Sequence, residues 1–381
     1  MKWEIAKLGK IAIIRTGKLD SNAAVIGGRY PFFTCDPNTL SIDVWAYDTE
    51  AVLLAGNNAS GNYTAKYYKG KFNAYQRTYI IESANEEELN IRYLCYALNQ
   101  QLRLLKTMSS GSTTKFLTIR MLDNLDIPLL GINIQTQIVN ILSAYDDLIE
   151  NNQKQIKLLE EAAQRLYKEW FVDLRFPGHE NTKIVDGVPE GWNICPFSSK
   201  VDIMSGGTPK TSIPDYYNGK IPFYTPKDSD GAFFAYKTQM NITEGGLKNC
   251  NSRLYPPKTV IITARGTVGK TTILAVPMAM NQSCYALKMK ENDAPYYLFF
   301  ALNNEIKALQ TMANGGVFNT IIGKTFDSIN IQIPKDPLIY GFEETVRPFM
   351  EQIKNKLQAN SKLVEARDRL LPKLMSGEVE V

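Results

Sequence analysis

The feature that most constrains the fold of this 381-residue chain is an internal duplication. The tripeptide Ala-Leu-Asn stands at 97–99 and again at 301–303, each time after a run that begins with Tyr-Leu and is rich in aromatic residues. Each copy is followed by a glycine-containing turn, an Ile-Pro pair and a long helical pattern. A period of roughly 200 residues is too long for a solenoid and indicates duplicated domains. We therefore expect one module twice, each copy a globular part followed by a helix.

Strand patterns recur in the same order in the two halves. Matching aromatic-proline strands begin at Tyr30 and Ile221, and β-rich runs occupy 51–54 and 259–262, each followed by glycine. Strands bounded by Gly, Asn and Pro fit a twisted sheet whose loops carry the polar residues. The spacing between matching features varies, which indicates insertions and deletions in surface loops, where recognition residues are usually found.

Composition indicates a soluble chain with two to three domains. Hydrophobic residues make up 44% and charged residues 22% of the sequence, which is ordinary for a globular protein. The longest apolar stretches, such as 296–302, are too short to cross a bilayer, and residues 1–5 lack the apolar core of a signal peptide. Five scattered cysteines are typical of reduced thiols. We expect a cytoplasmic protein with no membrane partner.

The charged and titratable residues restrict the classes of function. A net charge of +4 permits a polyanionic partner without requiring one. The single histidine, His179, lies in a Phe-Pro-Gly-His-Glu segment typical of an exposed linker. Histidine-based acid–base catalysis, a catalytic triad and a multi-histidine metal site are therefore nearly excluded.

Each half ends in a pattern typical of a coiled-coil helix. Apolar residues repeat with 3,4 spacing over four heptads, and Asn152 and Asn360 interrupt the seam as register-fixing polar residues do. The alternative is a long amphipathic helix on the surface of a globular core. The predicted seam consists of Leu142, Tyr145, Ile149, Ile156, Leu159, Leu166, Val346, Phe349, Ile353, Leu363, Leu370 and Leu374.

The two helices are expected to pair antiparallel. Each would run to roughly 35 residues, or about 50 Å. Antiparallel pairing places the two globular units at opposite ends, because each unit leads into the start of its own helix. The expected fold is thus mixed α+β: two α/β units held apart by two long antiparallel coiled-coil helices, with a pseudo-two-fold axis.

A phosphate-binding P-loop is the most tempting motif. Residues 264–271 read Ala-Arg-Gly-Thr-Val-Gly-Lys-Thr, whereas a P-loop needs glycine at the first position and a helix after the last. The following residues 272–277 are rich in β-branched side chains and end in proline, so they favour a strand. A turn between two strands that presents Arg265 and Lys270 is the better interpretation, and it suits contacts with phosphates or base edges.

Other polar loops add candidates for a DNA-reading surface. Residues 55–62 of the first half match the Arg265 turn in position and are rich in Asn, whose side chain can pair with adenine or simply form a turn. Tyr-Gln-Arg at 75–77 has its counterpart in Asn-Gln-Ser at 281–283. Each loop residue could equally be a solvated loop side chain. The candidate DNA-binding residues are Asn57, Asn58, Arg77, Lys115, Thr208, Lys210, Lys227, Arg265, Lys270 and Lys324.

No pattern of residues indicates catalysis. Asp215 could begin a nuclease carboxylate set, but the nearest Glu-x-Lys, at 305–307, lies in a helix-like stretch far along the chain. The sequence has neither an Asn-Pro-Pro-aromatic nor an Asp-Pro-Pro-aromatic tetrapeptide. We therefore expect a chain that is not an enzyme, with no catalytic residue and no metal site.

Taken together, these features resemble the DNA specificity subunits of type I restriction–modification systems. The resemblance covers nearly the whole chain. It rests on the order globular–helix–globular–helix and on four local patterns: Pro-Glu-Gly-Trp at 189–192, Gly-Gly-Thr-Pro at 206–209, the turn at 264–270, and the approach to the first helix at 138–150. The first half departs from the pattern at 57–60, where Asn-Asn-Ala-Ser replaces Arg-Gly-Thr-Val.

The resemblance implies a division of the chain and a function. It implies a first target-recognition domain at 1–133, a spacer helix with linker at 134–185, a second target-recognition domain at 186–335 and a second spacer helix at 336–381. Each domain would read half of a bipartite sequence in double-stranded DNA. The helices would space the domains and dock two methyltransferase subunits, joined by an endonuclease subunit that translocates DNA.

The same resemblance implies that this chain holds no cofactor itself. S-adenosylmethionine, ATP and Mg²⁺ would be used by the partner subunits. Two alternatives remain open on the sequence: a P-loop-like enzyme that uses nucleotides, and a coiled-coil scaffold between proteins that has no contact with DNA.

Overall fold

The computed structural model describes residues 4–57, 63–312, 321 and 323–381, except 109–116, and for 103–108 and 307–312 it describes the backbone alone. The strands of the first half are β1 (Glu4–Lys7), β2 (Ala12–Thr16), β3 (Tyr30–Phe33), β4 (Leu40–Ile42), β5 (Tyr47–Ala55), β6 (Ala65–Ala74), β7 (Thr78–Ser83) and β8 (Asp126–Leu129). Its helices are α1 (Leu8–Ile11), α2 (Ile91–Met108), α3 (Ile119–Asp123) and the long α4 (Ile132–Tyr167). A π-helical turn, Lys168–Val172, extends α4.

The second half repeats this order with more short elements. Its strands are β9 (Ile184–Val185), β10 (Val188–Pro189), β11 (Asn193–Pro196), β12 (Val201–Ser205), β13 (Tyr217–Tyr224), β14 (Phe234–Ala235), β15 (Asn241–Ile242), β16 (Val260–Thr263), β17 (Thr271–Leu274), β18 (Ala279–Met280), β19 (Cys284–Met289) and β20 (Asn330–Ile333). Its helices are α5 (Phe197–Lys200), α6 (Glu244–Lys248), α7 (Pro295–Met312), α8 (Gly323–Asp327) and the long α9 (Asp336–Ser376).

The chain divides into two compact units, and each unit takes in part of both long helices. Unit 1 comprises residues 1–149 and 362–381, and unit 2 comprises residues 150–361. The first part of α4 therefore packs with the last part of α9 in unit 1, and the remaining parts pack together in unit 2. The predicted mixed α/β class with two long helices is confirmed.

The sheets show that the duplication is structural. The strand order is β2-β7-β5-β6-β3-β4 in the sheet of unit 1 and β12-β19-β16-β17-β14 in the larger sheet of unit 2. The first four strands of each list match one for one, and all their pairings are antiparallel. A separate antiparallel pair joins the start of each half to the strand before its long helix, β1 to β8 and β11 to β20.

The repeated aromatic motif anchors the matching helices α2 and α7 in the two cores. The hydroxyl of Tyr93 donates to the carbonyl of Pro128 at 2.7 Å, and the hydroxyl of Tyr297 donates to the carbonyl of Gln332 at 2.6 Å. Both rings are buried, and Ala97 and Leu98, like Ala301 and Leu302, are buried beside them. Burial of apolar side chains against the sheet stabilises each helix far more than its intrinsic propensity.

The long helices pair antiparallel within each unit. In unit 2, Asn152 donates to Asn360 at 2.8 Å, while Trp170 packs on Phe342 with ring centroids 5.9 Å apart. In unit 1, the guanidinium of Arg367 lies 2.6 Å from the carboxylate of Asp146. In unit 2, Trp170 follows Asn152 along the chain, whereas its partner Phe342 precedes Asn360. This opposite order is what antiparallel pairing requires.

The predicted seam residues lie inside the units rather than on their surface. The buried ones are Leu142, Ile149, Ile156, Val346, Ile353 and Leu374, and the half-buried ones are Tyr145, Leu159, Leu166, Phe349, Leu363 and Leu370. Many of them also belong to the apolar clusters that contain α2 or α7. The two interpretations of the helices, a coiled coil or a helix on a globular core, are therefore not exclusive, because each helix covers its unit's core while it pairs.

Candidate nucleic-acid interface

The turn between β16 and β17 is a hairpin. Ile262 pairs with Thr271 in antiparallel register, and Gly269 N–H donates to the carbonyl of Thr263 at 2.9 Å. Gly266 and Gly269 both have φ 82, a left-handed conformation that favours glycine. Since a strand rather than a helix follows the turn, the helix N-terminus on which a P-loop depends is missing. The predicted two-strand turn is confirmed, and the nucleotide-binding alternative loses its geometric basis.

This hairpin presents its cations to solvent. Arg265 and Lys270 are exposed, and neither forms an ion pair with a residue that the structure describes. The hydroxyl of Thr267 donates to the carbonyl of Pro226 at 3.3 Å, which fixes the segment 225–228 beside the hairpin. Lys227 is exposed on that segment. The neighbouring Asp228 is turned inward, because its carboxylate accepts the N–H of Thr225 at 2.8 Å.

Two further turns, at 205–210 and 281–283, adjoin the hairpin and the segment 225–228. We call this group of adjoining turns the rim of unit 2. Asn281 N–H donates to the carbonyl of Tyr224 at 3.0 Å, and the hydroxyl of Thr208 donates to the side-chain oxygen of Gln282. A Cβ on Gly206 would lie 2.2 Å from the carbonyl oxygen of Asn281, so only glycine allows the two turns to approach this closely. Exposed Lys210 follows two residues after Thr208.

Two further backbone hydrogen bonds bring the segment that precedes Lys324 next to the hairpin. Ala264 N–H donates to the carbonyl of Ser283 at 2.7 Å, and Ile321 N–H donates to the carbonyl of Ala264 at 2.9 Å. Lys324, exposed at the start of α8, follows Ile321 closely. The structure thus brings Thr208, Lys227, Arg265 and Lys270 onto adjoining turns, with Lys210 and Lys324 at the ends of the same hydrogen-bonded segments.

Unit 1 carries the same framework with other side chains. Gly56 N–H donates to the carbonyl of Arg77 at 2.7 Å, and Leu117 N–H donates to the carbonyl of Gly56 at 2.8 Å. These two bonds match those of Ala264 with Ser283 and Ile321. By this correspondence Asn57 occupies the position of Arg265, and Arg77 occupies the position of Ser283. Each unit therefore carries an arginine at the junction of the same two turns, but on opposite turns.

The structure places two of the unit 1 candidates, Asn57 and Arg77, beside one cleft. Arg77 is exposed and Asn57 is half-buried. Together with Thr16, Gln76 and Tyr79 they line a cleft of about 310 Å³. Asn58 and Lys115 lie outside the described residues. This cleft, like the rim of unit 2, can accept hydrogen bonds and donate them, and it carries a fixed positive charge, the combination that contacts with DNA need.

Two residues at these junctions were missing from the predicted set. Gln76 and Gln282 are exposed at matching positions, and the side-chain amide of Gln76 donates to Asp20 at 2.8 Å. The signal was present in the sequence, since both lie at the centre of the matched tripeptides at 75–77 and 281–283. Their chemistry did not single them out, because a polar amide on a loop is ordinary.

Two titratable side chains, those of Cys284 and His179, are held by their local surroundings. Burial raises the pKa of Cys284, beneath the rim of unit 2, to about 12, so the thiol stays protonated. Nδ1 of His179 lies 2.9 Å from the carbonyl oxygen of Phe176 in a short 3₁₀ turn.

Across the described ranges, no group of three or more His, Cys, Asp or Glu side chains is arranged to hold a metal ion. Within the same ranges no helix is long and apolar enough to span a membrane.

Comparison with known proteins identifies the family. The model of the type I restriction modification DNA specificity domain matches residues 1–161 and 189–358, which is most of the chain. The type I restriction enzyme EcoDI specificity subunit of Escherichia coli is 27% identical over 99% of this chain and 88% of its own length. The MjaIX specificity subunit of Methanocaldococcus jannaschii is 28% identical over 76% of this chain and 68% of its own. The crystal structure of an S subunit from M. genitalium superposes with a TM-score of 0.60 at 17% identity, covering 98% of this chain and 96% of that one, and so shares the fold. The chain therefore belongs to the type I restriction–modification DNA specificity family.

Proposed function

We propose that this chain is the DNA specificity subunit of a type I restriction–modification complex and that it reads a bipartite target, one half with each unit. The observation that carries the proposal is the matched framework of turns in the two units, on which the exposed side chains differ. Two units that share a backbone framework but present different side chains are suited to recognising two different DNA sequences. The exposed cations, Arg77 in unit 1 and Arg265 in unit 2, suit phosphate oxygens or guanine edges.

The chain is expected to act with partner proteins that carry the chemistry. We propose two methyltransferase subunits and an endonuclease subunit that translocates DNA, which together use S-adenosylmethionine, ATP and Mg²⁺. The solvent-facing side of α4 supports a docking role, because Ile141 and Leu148 in unit 1 and Leu158 in unit 2 are exposed apolar residues. Apolar side chains at such positions are usually covered by a partner. The chain itself would be non-catalytic and cytoplasmic.

Neither alternative function gains support from the structure. The β16–β17 hairpin lacks the helix that a nucleotide-binding loop requires. A scaffold without contact to DNA leaves unexplained why both units present exposed, cation-bearing turns at the same place in the fold.

The proposal is tested by mapping methylated positions across the host genome with and without this chain. Deletion should remove methylation at one bipartite motif, and the wild-type gene supplied in trans should restore it at that motif. A deletion strain whose methylation pattern is unchanged would contradict the proposed function. The purified chain should not hydrolyse ATP, whereas an enzyme that depends on the Gly269-Lys270-Thr271 loop would hydrolyse ATP and lose that activity in the Lys270→Ala variant.

A further inference from the structure

The two units share one exposed side chain at the junction of their matched turns. The tripeptide is Tyr-Gln-Arg in unit 1 and Asn-Gln-Ser in unit 2, so glutamine is common to both while its neighbours differ. Gln76 and Gln282 are both exposed. The arginines on either side do not correspond, because Arg77 matches Ser283 and Arg265 matches Asn57. A shared side chain among differing ones requires its own explanation.

The backbone holds both glutamines in the same place. The residue before each glutamine donates its N–H to the strand opposite, Tyr75 to Phe33 at 2.9 Å and Asn281 to Tyr224 at 3.0 Å. The residue after each glutamine accepts an N–H at 2.7 Å, from Gly56 in unit 1 and from Ala264 in unit 2. Each glutamine is thus fixed between two anchored residues, so its side chain leaves the framework from an equivalent point in each unit.

Each side-chain amide is also oriented by a neighbour, and the neighbours differ. The amide nitrogen of Gln76 donates to Asp20 at 2.8 Å. The amide oxygen of Gln282 accepts from the hydroxyl of Thr208. A glutamine amide has two N–H donors and an oxygen with two lone pairs. After these bonds, each amide still has at least one donor and one acceptor site to offer to a ligand.

We infer that Gln76 and Gln282 each read one base of the target, at corresponding positions of the two half-sites, and that the base is adenine. The inference rests on the proposed function. A primary amide that offers a donor and an acceptor side by side matches the N7 and N6 of adenine in the major groove. Because the glutamines are common to both units, the base that they read is common to both half-sites.

Contacts with phosphates alone would not account for this arrangement. Arginine and lysine suit phosphate oxygens better than a neutral amide does, and Arg77 and Arg265 stand beside the glutamines for that purpose. A second residue that fixes the amide plane makes sense where the direction of the hydrogen bonds matters, as it does at a base edge.

The test uses the full chain with the subunits that co-purify with it, and selects bound sequences from a randomised DNA library. Three variants are compared with the wild type: Gln76→Met, Gln282→Met and the matched control Gln137→Met, an exposed glutamine on α4. Methionine keeps the length of the side chain and removes both hydrogen-bonding groups. Each test variant should lose its preference for adenine at one position of one half-site, by roughly tenfold or more. The control should keep the wild-type preference.

The outcomes separate this inference from the proposed function. A wild-type complex that selects no bipartite sequence contradicts the proposed function and the inference with it. A wild-type complex with a bipartite preference that both test variants retain overturns the inference alone. The inference is also overturned if each variant weakens binding to all sequences equally, which indicates a phosphate contact, or if the lost base is not adenine. Folding is checked by the thermal unfolding midpoint, which these exposed substitutions should leave unchanged.

Discussion

Arg265 and Arg77 show how a duplicated framework acquires two specificities. The turn that carries Arg265 in unit 2 carries Asn57 in unit 1, and the turn that carries Arg77 in unit 1 carries Ser283 in unit 2. Moving a guanidinium from one turn to its neighbour shifts a positive charge without altering the hydrogen bonds between the turns. At the scale of single residues, recognition can therefore change while the fold is kept.

Replacing Arg265 with alanine should affect one half-site only. Removal of a bidentate arginine contact is expected to cost about 1–3 kcal/mol at the base that it reads, and removal of a phosphate contact should instead lower the salt dependence of binding. Titration of duplexes mutated in either half-site measures the effect. Arg175→Ala, at another exposed arginine of unit 2, serves as the control. Equal losses at both half-sites would argue against modular reading.

Glu343 is a buried carboxyl whose protonation is coupled to stability. It is 3% exposed, and it accepts the N–H groups of Tyr296 and Tyr297 at 2.8 Å each, at the start of α7. Burial raises its pKa from 4.5 to about 7, against the opposing effects of those two N–H groups and of Arg347. The native state therefore holds this proton more tightly than the unfolded state does.

Stability from Glu343 should accordingly decline as the pH rises. Because its native pKa is raised, protonated Glu343 makes a contribution to the free energy of unfolding that is complete below pH 4.5. This contribution is lost as the pH rises through about 7. Glu343→Gln keeps the acceptor oxygen without the charge. The variant should match the wild type near pH 5 and exceed it at pH 8, by on the order of 2 kcal/mol. Thermal midpoints between these pH values test this, with exposed Glu344→Gln as control. A constant difference across the range would refute the coupling.

Sequence patterns found the charged candidates but not their arrangement. Arg265 and Lys270 stood out because a Gly-rich turn between β-branched runs predicts a hairpin. The partnership of Arg77 with the Gly56 turn depends on a backbone hydrogen bond between distant segments, which no local pattern specifies. Gln76 and Gln282 were missing from the predicted set for a different reason, because a polar amide on a loop is ordinary.

At the scale of elements, the seam of unit 1 contains a polar network that unit 2 replaces with apolar packing. Arg367 on α9 binds Asp146 on α4 at 2.6 Å, and the hydroxyl of Tyr96 on α2 donates to the same carboxylate. The duplication places three apolar residues at the corresponding positions of unit 2. These are Ala163, Met350 and Phe300, all buried in its core. The same helix crossing is thus held by charge in one unit and by packing in the other.

Removing one member of this network should destabilise the protein, whereas replacing all three members with the apolar residues of unit 2 should largely preserve its stability. Arg367→Ala leaves the Asp146 carboxylate half-buried without its cation, at an expected cost of about 1–3 kcal/mol. The triple variant Tyr96→Phe, Asp146→Met, Arg367→Ala copies unit 2 and should recover most of that loss, since packed apolar groups often equal a buried ion pair. Urea unfolding followed by circular dichroism measures both.

The control for this comparison is Arg369→Ala, which removes an exposed arginine of α9 paired with Glu365. It should change stability by less than about 0.5 kcal/mol. A triple variant that is no more stable than Arg367→Ala would show that the two units do not use interchangeable packing.

The heptad pattern predicted both long helices because a 3,4 spacing of apolar residues sustained over four heptads has few other interpretations. The pattern did not find the ion pair between Arg367 and Asp146, since Asp146 lies one residue beyond the predicted seam position Tyr145. Packing of the same helices on α2 and α7 was not foreseen either, because periodicity shows which face is buried but not against what.

At the scale of the whole molecule, the sequence repeat foretold a repeated sheet. The order β2-β7-β5-β6 recurs as β12-β19-β16-β17, and the Tyr93 and Tyr297 anchors recur with it. The limits of the compact units could not be predicted, because they fall within α4 and α9, where the heptad pattern continues without a break. Local patterns locate elements, whereas the boundary of a unit depends on contacts between distant parts of the chain.

We propose that the length of the paired helices sets the distance between the two DNA half-sites that the units read. Removing residues 153–159 from α4 and 353–359 from α9 takes one heptad from each and leaves the partners Asn152 and Asn360 in place. Each helix shortens by about 10 Å, which corresponds to about three base-pair steps of DNA. We predict that sequences selected by this variant contain both wild-type half-sites with a gap about three base pairs shorter. Selection of the same half-sites at the original gap would contradict the account.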